Sequence, residues 1–409
     1  MAVPSILLLC IIFLSGCWDQ MNIEQRGFVL GVAIDAYPPA PAKEEGKKPG
    51  ETPPEEEMEL EIMETHTGKP LYALTVQLPI LRKSSQPSEG GTSGGGGQDS
   101  NTWDITQIGN SIYSMNRELL SRTSLALYYE HLQVIVLSDR IARQGIADVL
   151  DFFTRDPEMR RRVRVFISKG EAKSVLDVTP RVEEYASMYL SKMPINATRN
   201  SRMVHQTDLG EIIIAMHNDF SFILPVAQST KDEIKISGAA AIKGDKMVGW
   251  VSELETKAVK MIQNRYLGGV VTVSSPEKEG AIEVLEVTKA KTKITPLIKN
   301  DEITMRIKIM AAGNYAEHVQ KGVQNTRVDT LIARLQQEFE KEIAKNCAAT
   351  IEKFQSEYKT DVFQFCQILQ AEEPAYWEKI SGDWEDHVFP GMNVEIEVDV
   401  TINLTGSTR

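Results

Sequence analysis

Cysteine is too sparse here to hold a fold together. Four occur in 409 residues, at positions 10, 17, 347 and 366, whereas a disulfide-built secreted domain is far denser in them. No Cys-x-x-Cys pair occurs, and none of the six histidines joins a cysteine at metal-ligand spacing, which argues against a structural zinc. Basic charge is also short. Lys and Arg number 45 against 57 Asp and Glu, a net charge of −12, so the chain lacks the basic face that nucleic acid requires. The body as a whole is repelled by an anionic lipid surface. Gly-x-Ser-x-Gly and His-Glu-x-x-His are both missing, which removes the elbow serine and the helical zinc pair. Nor is the glycine tract within 84–100 a phosphate loop, because no Gly-Lys-Ser/Thr follows it.

What is present is the composition of an ordinary globular protein, 42% apolar and 25% charged, long enough for two or three domains. Its first feature is the apolar stretch Ile6 to Leu14, followed at once by Ser15-Gly16-Cys17. The stretch is about half the roughly 20 residues of a spanning helix. Apolar run, small residues and cysteine in that order read as a processed secretory signal with a bacterial lipobox. Cys17 is then the lipidation site, its sulfur taking a diacylglyceryl thioether, and residues 1–17 are the signal. Met1-Ala2-Val3-Pro4 carries no Lys or Arg, an unusual opening for such a signal.

Behind Cys17 the pattern is α+β in three blocks, each a β-sheet packed with helices. The expected boundaries are 18–205, 206–295 and 296–409. In the first block, Pro- and Glu-rich 38–59 and Gly- and Ser-rich 84–100 cannot bury enough apolar area to offset their ordering entropy, and read as mobile inserts. Between them, Glu59 to Leu81 alternates like a strand pair. Asp104 is expected to cap a helix whose inward face is Ile105, Ile108, Ile112, Met115 and Leu119. His131 to Leu137 and Val163 to Ile167 read as strands, joined through a helix capped by Asp139, in a parallel crossover. Helices are expected around Val182–Met193 and over Leu209–His217, the latter opening on Asp208-x-x-Glu211.

The middle block opens with a hairpin, Ile234–Lys243 and Lys246–Val251 around Gly244-Asp245. A capping box, Ser252-x-x-Glu255, then starts a helix to about Asn264. Strands follow at Val270–Ser274, Ala281–Lys291 and Glu302–Met310. The last block carries a long helix, 329–358, with Leu331, Leu335, Phe339, Ile343, Cys347 and Ile351 every four positions. A terminal strand, Asn393 to Leu404, alternates with Glu395, Glu397, Asp399 and Thr401 outward. Cys347 on the buried stripe favours free thiols at 347 and 366 over a disulfide between them.

Candidate chemistry is thin. Glu183-Glu184 and Glu372-Glu373 sit in polar context and read as solvated faces rather than acid/base pairs. His131 reads as a core or edge histidine. The run Arg155-Asp-Pro-Glu-Met-Arg160-Arg-Arg-Val-Arg164 is favoured as a solvated loop partly neutralised by Asp156 and Glu158. A grip on a lipid headgroup or an acidic partner is the alternative. No catalytic residue and no cofactor or metal site is expected.

The residues as an ordered set resemble the Ger(x)C lipoproteins, the C subunits of spore germinant receptors. The N-terminal match is Cys17-Trp18-Asp19, Gly31-Val-Ala-Ile-Asp35, Leu74-Thr75-x-Gln77 with Pro79, and Trp103 with Gly109-x-Ser111. It continues through Tyr129-x-His131-x-Gln133-Val134, Gly145-Ile146, Arg155-Asp156-Pro157-Glu158-x-Arg160 and Gly170-x-Ala172. The C-terminal match is Asp361-Val-Phe363, Trp377, Trp384, Phe389 and Gly406. The resemblance implies a non-enzymatic α+β protein anchored through Cys17 on the outer face of the inner spore membrane. It also implies membrane-embedded A and B type subunits as partners, in a receptor that answers nutrients. Where the family usually has glycines after Asp361-x-Phe363, this chain has Gln364 and Cys366, so a different local backbone is expected there. From another class, a solute-binding lipoprotein feeding a transporter competes, but two similar lobes around a cleft are not what the three unlike blocks suggest.

Overall fold

The computed structural model describes residues 22–38, 69–80, 101–205, 207–230, 232–276, 279–319 and 328–403. Cys17, residues 39–59 of the first expected insert and the whole of the second lie outside this set.

Strand β1 (Arg26–Phe28) leads into β2 (Gly31–Tyr37). β3 (Leu71–Pro79) and β4 (Thr102–Gly109) pair antiparallel beside it. Here the expected Asp104-capped helix is corrected: Thr102 to Gly109 is strand, and the helix α1 (Ile112–Leu119) begins only after Gly109-Asn110. Ser111 supplies its cap by accepting the N–H of Ser114. Eight ladder partners on β3, from Tyr72 to Pro79, outweigh a helical period that Ile105 and Ile108 fit only locally. Short β5 (Ala126–Tyr128) pairs in parallel with β1.

β6 (Val134–Ser138) follows as the fully buried strand expected, although His131 lies in the preceding loop. The helix after it is divided at Gly145, φ 138°, into α2 (Asp139–Gln144) and α3 (Ala147–Arg155). Ser138 rather than Asp139 caps it, accepting from Ile141 N–H. β7 (Arg164–Ser168) returns parallel to β6, as the crossover requires. Next come α4 (Lys173–Leu176), α5 (Ala186–Lys192) and α6 (Leu209–His217), the last capped by Asp208 through Glu211 N–H at 2.9 Å. β8 (Phe222–Ser229), which the sequence pattern did not flag, joins β7 in parallel; β9 (Ile234–Lys243) and β10 (Lys246–Val251) form the expected hairpin.

These strands make one sheet in the order β10-β9-β8-β7-β6-β2-β3-β4. One face is covered by apolar residues of α1, α2, α3 and α6, among them Met115, Ile141, Phe153 and Ile212. The other packs Ala33, Val134, Val136 and Phe166 against α4 and α5. Burial on both sides explains why β6 reads as a continuous apolar run instead of alternating.

The capping box holds at both ends, Ser252 N–H to Glu255 at 2.7 Å and Glu255 N–H to Ser252, and starts α7 (Glu253–Ile262). β11 (Gly269–Ser274), β12 (Ile282–Lys299) and β13 (Glu302–Val319) are antiparallel neighbours, and β13 is longer than expected. α8 (Val328–Lys353) ends in a π-helical turn over Phe354–Tyr358. α9 (Phe365–Glu372), α10 (Pro374–Ile380) and α11 (Phe389–Gly391) precede β14 (Asn393–Asn403), which lies parallel to β13. Leu335, Phe339, Ile343, Cys347, Ile351 and Phe354 are all buried between α8, α7 and this four-stranded sheet. Burying each Leu, Ile or Phe of that stripe stabilises by roughly 1.5–3 kcal/mol. On the outward face of β14, Glu395 pairs with Arg306, and Glu397 and Asp399 pair with Lys308; exposed pairs of this kind contribute little.

The architecture is mixed α/β, three sheets packed with helices. The boundary expected at 205/206 separates β7 from β8, which share one sheet, and that at 295/296 falls inside β12. Ala239, Ala241 and Val251 of the first sheet also enter the core beneath α7 and α8. Neither limit coincides with a break in pairing or packing, because long-range strand partners leave no local mark in the pattern.

Candidate functional site

Among the described residues no group of three His, Cys, Asp or Glu side chains could hold a metal, and the acidic pairs assemble nothing. Glu183 binds Lys192 at 2.8 Å, while Glu184, Glu372 and Glu373 are exposed. His131 is exposed with its ring edge-on to Phe28, centroids 5.1 Å apart. Cys347 and Cys366 are free and buried. Burial pushes the Cys347 thiol up to about 12 and raises that of Cys366 further, with the nearby Asp361 charge adding to it. Neither is a nucleophile at neutral pH, since the thiolate is the reactive form.

The residues shared with the Ger(x)C pattern act as fasteners. Asp35, at the end of Gly31-Val-Ala-Ile-Asp35, accepts the N–H of Ala172 at 2.6 Å and of Lys173 at 3.0 Å. It thereby caps α4 and explains why Asp35 and Gly170-x-Ala172 appear together. Burial pushes its carboxyl above the usual range, opposed by those two N–H groups. Gln77, fully buried, donates to Leu176 O at 3.0 Å and accepts from Ser187 N–H at 3.2 Å, pinning the segment behind α4 to β3. Asp361 collects four donors: Phe363 N–H, Phe365 N–H, Cys366 N–H and the Trp384 indole. Its own N–H goes to Glu385 at 2.8 Å. Gln364 stands between these donors at φ 68°, so the backbone keeps the left-handed turn that glycine favours even though the side chain differs. The different backbone expected there is therefore not found at 364.

Between α6, α7 and α9 lies a cavity of about 260 Å³, lined by Val204, His205, Phe220, Lys260, Gln263 and Gln367 among others. Lys260 and Gln263 spend their donors on the protein. Lys260, 2% exposed, donates to Met203 O at 2.8 Å and Ala197 O at 3.3 Å, and Gln263 donates to Val362 O at 2.6 Å. Burial lowers the Lys260 amine to about 8.

The basic run sits where the chain enters the fold. Arg26 lies over the Tyr128 ring, 4.2 Å from its centroid. Tyr128 donates to Glu130, and Glu130 also binds Arg160. Glu158 accepts Tyr129 N–H, and Asp156 accepts Glu158 N–H at 2.8 Å, so the acidic members of the run point into their own loop. Arg155 pairs with Asp151 at 2.8 Å. Arg161 and Arg162 are exposed and make no ion pair among the described residues. Arg162 and Arg164 line a second cavity of about 280 Å³ with Leu132, Gln133, Ser191 and Asp208. There, Nη1 of Arg164 is buried without a hydrogen-bond partner among the described residues, and burial pulls the guanidinium below its ordinary pKa. Sequence reasoning flagged the run but not this cavity, whose walls come from four separate segments.

Two family models match this chain: "Spore germination protein N-terminal domain" over residues 19–229, and "Spore germination B3/ GerAC like, C-terminal" over residues 237–406. The chain is similar to spore germination protein YndF of Bacillus subtilis (strain 168), 28% identical over 99% of this chain and 97% of the relative. It is likewise similar to spore germination protein B3 of the same organism, 26% identical over 97% and 96%. The crystal structure of the GerBC protein matches with a TM-score of 0.56 and 24% identity, covering 81% of this chain and 94% of that one.

Proposed function

The chain belongs to the Ger(x)C family of spore germination proteins, and from that membership we propose that it is the lipid-anchored C subunit of a germinant receptor. It works through protein contacts and not through catalysis. The observation that carries this reading is the end-to-end family match, 19–229 and 237–406. Cys17 carries the lipid. Two acyl chains, each buried CH₂ contributing about 0.8 kcal/mol, hold a protein at a bilayer where one chain is marginal. No described helix is long and apolar enough to cross a membrane. Membrane-embedded A and B type subunits are the partners, and the outer face of the inner spore membrane is the location.

The reading is tested by fractionating spores that carry the protein or its Cys17→Ala variant. The parent protein should sediment with membranes and co-purify with membrane-embedded subunits. The variant should leave the membrane fraction while keeping its protease-resistant core. A variant that stays membrane-bound, with germination at the normal rate, removes the requirement for the lipid.

A further inference from the structure

We propose that the end of the eight-stranded sheet at which the chain enters is a docking face for the phosphate headgroups of an anionic bilayer, gripped by Arg161 and Arg162. The proposal rests on the lipid anchor at Cys17 and adds an orientation to it.

Strand register fixes the geometry. Gly31 pairs with both Gln77 and Val134, Val134 with Arg164, and Pro79 with Thr102. The segments 22–30, 79–80, 101–103, 129–133 and 160–163 therefore share one end of the sheet. From β7 to β4 is four interstrand steps, about 19 Å, wide enough to be a footprint. Five Cα-to-Cα steps separate Cys17 from Asn22, and fully extended they span at most about 18 Å. An acyl chain in the bilayer thus keeps this end, rather than the end near Lys69 and Asn110, beside the headgroups.

Charge points the same way. Several carboxylates of this end are held by neighbours: Glu130 by Tyr128 and Arg160, Asp208 by Glu211 N–H, Asp156 by Glu158 N–H. Arg161 and Arg162 are left to solvent, with no ion pair among the described residues. Guanidinium groups take phosphate oxygens in paired, charge-assisted hydrogen bonds. The chain's net charge of −12 would be repelled from such a surface, so the exposed guanidiniums of Arg161 and Arg162 turn this end to it and hold the acidic body away. Ile23, Ile80 and Trp103, exposed by 70%, 40% and 42%, lie at the same end. Apolar and aromatic side chains of this kind settle at a membrane–water interface.

The test uses the full-length acylated protein on vesicles of phosphatidylcholine with or without phosphatidylglycerol. A nitroxide is placed at Ile80→Cys or, at the opposite end of β3, at Lys69→Cys; the buried Cys347 and Cys366 stay unlabelled. On phosphatidylglycerol vesicles the label at 80 should be shielded from a water-soluble relaxation agent while that at 69 stays accessible. Adding Arg161→Gln and Arg162→Gln, both at exposed positions, should abolish the shielding. Flotation with the two labels equally accessible leaves the anchor standing and overturns the docking face. Shielding that survives the double arginine change, or that is equal on phosphatidylcholine alone, overturns the role given to the arginines. Failure to float at all contradicts the anchor, and this proposal with it.

Discussion

Trp384 donates its indole N–H to Oδ2 of Asp361 at 3.1 Å, joining two residues 23 positions apart at a carboxylate that is 1% exposed. The same carboxylate holds three backbone N–H groups at the start of α9. Asp361→Ala leaves four buried donors without an acceptor, at ~1 kcal/mol or more each. The variant should lose on the order of 4 kcal/mol of stability, read as a lower urea midpoint by tryptophan fluorescence. A midpoint unchanged from the parent would mean the carboxylate is not the fastener described.

Gln364 occupies a left-handed backbone at φ 68°. A non-glycine residue there costs about 1–2 kcal/mol, partly offset by the extra freedom glycine has when unfolded. Gln364→Gly should therefore be neutral or stabilising by up to about 1 kcal/mol. Gln364→Val, with a branched side chain, should destabilise. Thermal unfolding of the two variants checks the order.

Asp104 supplies a pH dependence. Burial first, then the neighbouring Asp177 charge, raises its carboxyl from 3.8 to about 7, and its Oδ1 is buried without a hydrogen-bond partner among the described residues. A raised carboxyl favours the neutral form in the fold. Its contribution is full below about pH 4 and disappears as pH climbs past about 7. Asp104→Asn, neutral throughout, should match the parent near pH 4 and exceed it at pH 8.5 by on the order of 2–4 kcal/mol. Urea midpoints across that range test the sign; a parent that becomes relatively more stable with rising pH contradicts it.

How much of this was legible in the sequence varied with the range of the interaction. Ser252 with Glu255, Asp208 with its helix, the 234–251 hairpin and the stripe through Cys347 could be read because cap, turn and period lie within a few residues of one another. The strand at 102–109 was misread because Ile105, Ile108 and Ile112 fit a helix locally, and only pairing with β3 decides otherwise. The fasteners were invisible as contacts: Asp35 meets Ala172 across 137 residues, and nothing in either segment announces the other. The Arg164 cavity was hidden for the same reason.

Thiol chemistry gives an independent check on the packing. With Cys17 acylated, the folded protein should show no rapidly reacting thiol, and two should appear on denaturation, from Cys347 and Cys366. Reaction of either in the native state would contradict their burial in the core beneath α8 and α9.

The account's central claim, a germinant-receptor subunit, is tested most directly by nutrient-triggered germination of spores lacking this chain, followed as loss of optical density across a panel of amino acids and sugars. The account predicts that the response to at least one nutrient is lost, and that the intact gene restores it while a Cys17→Ala copy restores it weakly or not at all. Germination indistinguishable from the parent across the whole panel would contradict it.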